Sequence, residues 1–265
     1  MQAPGASPVA SLFCPWHPYS ARGIPILPVG SAAWPKAYSI TNEHDWKTVS
    51  ALSNRYPQII PSFGLHPWFI NDRSSKWLKL LEQKIDNHDG AVGEIGLDLF
   101  KKKNQYSEQK EVFLSQLQLA ADRNIPVSIH CIKGWNQIYN LLSDNPLPKR
   151  GFLLHGFAGP AEMINPLTNL GAFFSFSGSF AHPNKSRHRH NFCKIPTDRI
   201  LIESDAPFQP MPDNFITHPL KQKINHPANI KSIYKFAAKC LGTPYEELTV
   251  IAEKNFLKLF GNQML

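Results

Sequence analysis

From about Trp34 onward, short apolar runs alternate with stretches of helical periodicity. The strand-like runs are Ala37 to Ile40, Ile59 to Gly64, Ala91 to Ile95, Pro126 to His130, Phe152 to His155, Ala172 to Phe176 and Ile200 to Ser204. Between and after them, helical patterns run over Trp77 to Ile85, Ser107 to Arg123, Trp135 to Leu142, Ala161 to Leu170, Ala228 to Cys240 and Tyr245 to Phe260. In the clearest of these, Ser107 is expected to cap the first turn, with Glu108 and Glu111 at its positive end. Phe113, Leu117, Ala120 and Ala121 form its apolar face, and Asn124 ends it. Such alternation is the signature of repeated βα units around a parallel sheet. Seven runs are one short of a full TIM-type (β/α) barrel, so the expected fold is α/β, a barrel whose first strand is atypical or missing. The missing strand should fall in residues 1–35, which are rich in Pro, Ala, Ser and Gly and show no sustained period. The chain is therefore divided into an irregular segment, 1–35, and a barrel domain, 36–265.

Composition narrows the setting. No run of eighteen or more apolar residues occurs, and the N-terminus has neither the make-up of a signal peptide nor an Arg-rich amphipathic stretch, so no membrane association and a cytoplasmic location are expected. Cys14, Cys131, Cys193 and Cys240 are scattered, without a C-x-x-C pair, which points to neither a disulfide framework nor a thiolate zinc site. The net charge of +8 favours a polyanionic partner, because cationic side chains that neutralise phosphates release condensed counterions. No obligate protein partner is evident.

The downstream ends of the runs carry the chemistry. One ends in Glu94, one in His130, one in His155, and Asp205 follows Ser204 directly; His66 lies just beyond Gly64. In a barrel these ends gather on one face, where active sites form. A lone histidine after an apolar run is usually an ordinary core or surface residue. Two imidazoles and two carboxylates together make a ligand set for magnesium, manganese or zinc, which would activate water and polarise a phosphoryl oxygen.

These residues also carry a resemblance. Gly64-Leu65-His66-Pro67-Trp68, Gly93-Glu94-Ile95-Gly96-Leu97-Asp98, Ile129-His130-Cys131, Leu154-His155-Gly156-Phe157 and Glu203-Ser204-Asp205-Ala206-Pro207 follow one another as in the TatD family of metal-dependent deoxyribonucleases, one of the amidohydrolase-like barrels. The likeness spans roughly residues 37–262. It implies Glu94 as a carboxylate bridging two metals, His130 and His155 as ligands of one, and Asp205 as a ligand of the other that also orients or deprotonates the attacking water. It implies His66 near the substrate phosphate and Asp98 as support for the Glu94 loop, where a turn cap is the plainer alternative. Lys133, after His130-Cys131, is a further candidate phosphate contact, with Trp135 as a candidate stacking surface.

The sequence departs from the family twice. Its members open with Asp-x-His-x-His, whereas here the nearest segment is Cys14-Pro15-Trp16-His17-Pro18. One or two divalent ions per chain are therefore expected, the second without its usual histidines. Asn225-His226-Pro227 stands where the family more often has Asn-Glu-Pro. Lys101 to Lys103, then Lys185, Arg187 and Arg189, then Lys221 and Lys223 are read as basic loops flanking the site. The histidines between His182 and His190 are read as a polar loop rather than a metal cage. The expectation is a hydrolase of phosphodiester bonds, with DNA as substrate. Two alternatives stand beside it: a hydrolase of small esters or amides, predicting an apolar pocket, and a non-catalytic adaptor that keeps the fold.

Overall fold

The computed structural model describes residues 36–261 apart from 41 and 58, and for residues 36–40 the backbone alone. The eighth strand expected within residues 1–35, and His17, lie outside the described residues. Seven strands form one parallel sheet in strict chain order: β1 (Lys36–Ile40), β2 (Ile59–Phe63), β3 (Ala91–Asp98), β4 (Val127–Ile132), β5 (Phe152–Leu154), β6 (Ala172–Ser177) and β7 (Ile200–Glu203). Helices follow the strands in turn: α1 (Trp46–Arg55), α2 (Trp77–Asp86), α3 (Tyr106–Arg123), α4 (Trp135–Ser143), α5 (Ile164–Asn169), α6 (Ser186–Phe192), and after β7 both α7 (Ile230–Leu241) and α8 (Tyr245–Phe260). This is the TIM-type βα order.

Every residue of β2, β3, β5, β6 and β7 is buried, as in a parallel sheet covered on both faces. Ile60 of β2 and Leu201 of β7 share one apolar cluster with Ala91, Leu153 and Phe173, although β2 and β7 stand far apart in the strand order. The sheet is therefore curled upon itself. Phe256, Leu259 and Phe260, from the last turns of α8, join the same cluster. All of these strand residues lie at or before the midpoints of their strands, so α8 plugs the upstream mouth and leaves the downstream mouth to the site.

Of the apolar face expected of helix α3, Phe113, Leu117 and Ala120 are buried and Ala121 half-buried, Val112 joins them, and Asn124 ends the helix in the left-handed region (φ 50°). Ser107 does not cap it. The helix begins one residue earlier, at Tyr106, and Gln105 in the cap position makes no side-chain capping bond, its amide donating instead to Asn71 Oδ1 (2.9 Å). Helix α1 has no counterpart in the sequence reading, because only Trp46, Val49 and Ser50 are buried and the rest of its surface is mostly polar. The segment from His182 to His190 is helical for much of its length rather than a polar loop: a short turn at Pro183–Lys185 leads into α6. Burial of Phe192 and the bond from Asn191 Nδ2 to the Gly159 carbonyl (3.0 Å) anchor it.

Candidate active site

Five strand ends deliver the acid and imidazole groups, and the backbone decides where they point. Along β3, Val92 pairs with Val127 but Ile95 pairs with Ile129, so β3 holds one extra residue between them. That bulge sits at Gly93-Glu94 and turns the Glu94 side chain inward. A Cβ at Gly93 would come within 2.8 Å of Ser128 Cβ, and one at Gly96 within 2.0 Å of the His130 carbonyl oxygen. Glycine at both positions is what allows β3 and β4 to approach closely enough for Glu94 and His130 to meet.

Glu94 Oε1 is the centre of the cluster. His130 Nδ1 lies 3.1 Å from it, His155 Nε2 3.6 Å and His66 Nε2 4.0 Å. Asp205 joins from beyond β7, its Oδ1 3.4 Å from His155 Nε2, with its backbone in the left-handed region (φ 52°). The structure thus brings together Glu94, His130, His155, Asp205 and His66. Lys133 is not brought in: it is exposed just past β4 and is absent from the walls of the pocket over the cluster. That pocket, of about 200 Å³, has apolar walls from Trp68, Phe69, Ile132 and Phe208.

A family model for TatD-related DNases matches residues 31–261. The chain belongs to that family. A Bacillus subtilis relative named as a metal-dependent hydrolase, YabD, is 30% identical over 211 residues, which span 79% of this chain and 80% of its own. The 3'-5' ssDNA/RNA exonuclease TatD of Escherichia fergusonii is 28% identical over 227 residues, 83% of this chain and 85% of its own. Among solved structures, the TatD homolog YjjV of Escherichia coli superposes with a TM-score of 0.79 at 26% identity, covering 88% of each chain. The protein is accordingly a member of the TatD group of metal-dependent hydrolases.

The tautomers sort the imidazoles of this TatD-family site. His155 Nδ1 is 2.8 Å from Glu203 Oε2, a carboxylate also bonded by Ser175 Oγ, which itself accepts from the Gly156 N–H (3.0 Å). The Nδ1 proton is fixed there, and Nε2 faces Glu94 and Asp205 in the posture of a metal ligand. His66 is oriented the other way. Its Nδ1 accepts the Trp68 N–H at 3.1 Å, which places the ring proton on Nε2, toward Glu94. Candidate ligand atoms of His66, Glu94 and His130 do lie within 4.8 Å of one another. A His66 Nε2 that carries a proton offers no lone pair, so this side chain fits a hydrogen-bond donor to an anion better than a ligand.

The donor set fits a divalent cation. Glu94, Asp98, Glu203 and Asp205 are each at most 2% exposed, and such a concentration of buried carboxylates requires compensating positive charge. Asp205 Oδ1 and His130 Nε2, for all their nearness to His155 and Asp98, meet no partner in hydrogen-bonding geometry among the described residues. Imidazole nitrogens with carboxylate oxygens suit zinc or manganese, and the carboxylates suit magnesium. In the metal-free protein, protons stand in for part of that charge. Burial pulls His155 down, but Glu203, Glu94 and Asp205 raise it well above the ordinary histidine range. His130 is likewise raised against burial, by Asp98 and Glu94. Burial pushes Asp205 up to about 6, against the pull of His155 and with the help of Glu203 and Glu94. Burial also pushes Glu94 up, yet His155, His130 and His66 hold it below the usual carboxylate range. His66 is lowered, first by burial and then by His130, and is neutral.

Several groups at the site were not visible from sequence. Among them, Glu203, which closes β7, and Ser175, one of two serines in β6, fix His155. Gln116 of α3 accepts from the Leu65 N–H (2.7 Å) and donates to the Leu65 carbonyl (3.2 Å), clamping the residue beside His66. Gln109, on the same helix face, does the same to Asp98, at 2.7 and 3.3 Å. Asp98 itself is both turn cap and support. Its Oδ1 accepts from the Phe100 and Lys101 N–H groups (3.0 and 2.8 Å), and its Oδ2 accepts from Trp68 Nε1 (2.6 Å).

Other sequence candidates have structural partners. Trp135 packs its ring on Phe157 (4.8 Å) and joins the core rather than offering a stacking surface. Arg189 donates to the Phe180 and His182 carbonyls (2.5 and 2.8 Å), tying down its own segment. His226 accepts the Ala228 N–H (3.0 Å) and stacks on His218 (5.5 Å), so it caps the turn leading into α7. Its neighbour Asn225 bonds the Ser204 carbonyl (2.6 Å) and steadies the approach to Asp205.

Two outcomes follow. Replacing Glu203 by Gln removes the charge that fixes the His155 tautomer, and divalent-metal affinity measured by calorimetry should fall roughly 10- to 100-fold; unchanged affinity would show that His155 is held by other means. The second concerns pH. The folded-state pKa of Asp205 is about 6 against an ordinary 3.8, so its contribution to metal-free stability is present below about 4 and lost as pH rises through about 6. Raised His155 acts with the same sign at higher pH. Metal binding must displace these protons, so the rise in Tm produced by a fixed concentration of manganese should grow from pH 5 to pH 8. A rise that is constant across that range would exclude proton displacement from this site.

Proposed function

We propose that the protein hydrolyses phosphodiester bonds in nucleic acid, DNA in particular, with Glu94, His130, His155 and Asp205 holding the metal and Asp205 positioning the attacking water. The observation that carries this reading is the convergence of Glu94, Asp205 and three imidazoles in the lining of one pocket at the downstream mouth, with the buried Asp98 and Glu203 beside His130 and His155. When bound, a divalent ion supplies polarisation of the phosphoryl oxygen and acidifies water. The remaining steps fall to the chain. Asp205 Oδ1 takes the proton of the attacking water, a task suited to a carboxylate whose pKa burial has raised to about 6. His66 Nε2–H donates to a phosphoryl oxygen as charge grows on it. Glu203 and Ser175 keep His155 in one orientation throughout, and Lys133, exposed just outside the pocket, meets the incoming strand. A net charge of +8 supports a polyanionic substrate, and the Escherichia fergusonii relative is named for cleaving single-stranded DNA and RNA.

The apolar walls from Trp68, Phe69, Ile132 and Phe208 favour, as a second reading, hydrolysis of a small ester or amide. Salt separates the two. Protein stripped of metal and resupplied with magnesium, manganese or zinc should degrade single-stranded DNA, with affinity that falls steeply between 50 and 200 mM salt, on the order of tenfold or more. Asp205→Asn should lower the rate by at least about a hundredfold. Folded protein that leaves DNA intact with every metal, yet turns over small esters without regard to salt, would replace the first reading by the second.

A further inference from the structure

Large apolar side chains stand open to solvent around the pocket mouth. Phe208 is 36% exposed and Ile132 37%. Phe208 and Ile132 belong to the same pocket wall as Glu94, His130 and Asp205. Their backbones are tied to the acid cluster. The Phe208 N–H donates to the Asp205 carbonyl (2.7 Å), and the Ile132 carbonyl accepts from Leu99 N–H (2.9 Å), one residue past Asp98. On the wall formed by Trp68, the Lys101 ammonium lies 3.4 Å over the indole ring, whose N–H is held by Asp98. Apolar surface and a pinned cation thus stand at fixed places relative to the groups on the pocket floor.

We propose that Phe208 and Ile132 form a nucleobase subsite, on which the base next to the scissile phosphate packs while Lys101 pairs with the neighbouring phosphate. This rests on the nuclease reading above. An acyl chain would use the apolar wall but have no use for the ammonium; a nucleotide unit uses both. Phe208 offers a π face and Ile132 aliphatic carbon, neither of which reads base edges, so the subsite accepts any base. In a duplex that face of the base is covered by its stacked neighbours, so the subsite takes an unpaired nucleotide.

The test uses the full chain with manganese and single-stranded oligonucleotides in which one abasic linker is moved along the strand, beside the all-base parent. Wild-type protein should lose about tenfold in kcat/KM, mainly through KM, when the abasic position adjoins the cleaved bond. Phe208→Ala should collapse that difference toward one, Ile132→Ala should reduce it, and Phe208→Trp should restore it. Phe208 is partly exposed, and unchanged thermal melting of each variant confirms that the fold is kept. Equal cleavage of abasic and parent strands by wild type, or an undiminished difference in Phe208→Ala, overturns the subsite and leaves the nuclease reading intact. No cleavage of any strand by folded wild-type protein overturns both.

Discussion

Carboxylates taken out of water are costly, and this barrel gathers four of them at one mouth. A lone buried charge would ordinarily take up or lose a proton, or be replaced by apolar packing, because the attraction between partners rarely repays desolvation in full. Here the cluster persists because imidazoles face it and because its geometry leaves room for a cation. The glycines of β3, the amides of α3 and the left-handed turn at Asp205 are the scaffolding that such a cluster requires. Remove the need to concentrate negative charge and these features lose their purpose together.

The scaffold is divided by function. Apolar packing of α8 closes the upstream mouth, where Phe256, Leu259 and Phe260 meet the strands. At the downstream mouth, backbone groups are pinned by side-chain amides instead: Gln116 on Leu65, Gln109 on Asp98, Asn225 on Ser204. Amide-to-backbone bonds fix direction as well as distance, which apolar contacts do not. Asp98 is the joint between the two halves of the site, since one carboxylate holds the Trp68 ring, caps the turn at Phe100 and Lys101, and lies 3.5 Å from His130 Nε2.

Much of this was legible in the sequence, for a physical reason. A parallel strand buried on both faces is an apolar run, and its downstream end is where polar chemistry resumes, so Glu94, His130, His155 and Asp205 stood out by position. Glu203 did not, because an acid that closes Ile-Leu-Ile-Glu looks like any strand end until Ser175 of the neighbouring β6 is found bonded to it. Gln109 and Gln116 did not stand out either: they are polar residues of a helix known by its apolar face, yet both are buried. Lys133, singled out by its place after a strand, has an exposed side chain outside the pocket wall. The substitution of His226 for the family's usual glutamate also resolves locally, as a turn cap rather than a gap at the metal-binding face.

If the buried strand-end groups constitute a metal site, anomalous diffraction from zinc-loaded crystals will locate the ion among them. An anomalous peak is expected about 2.0–2.2 Å from side-chain atoms of Glu94, His130, His155 and Asp205. Peaks confined to the histidines of α6 or to the His218–His226 pair, with none between Glu94 and Asp205, would contradict such a site.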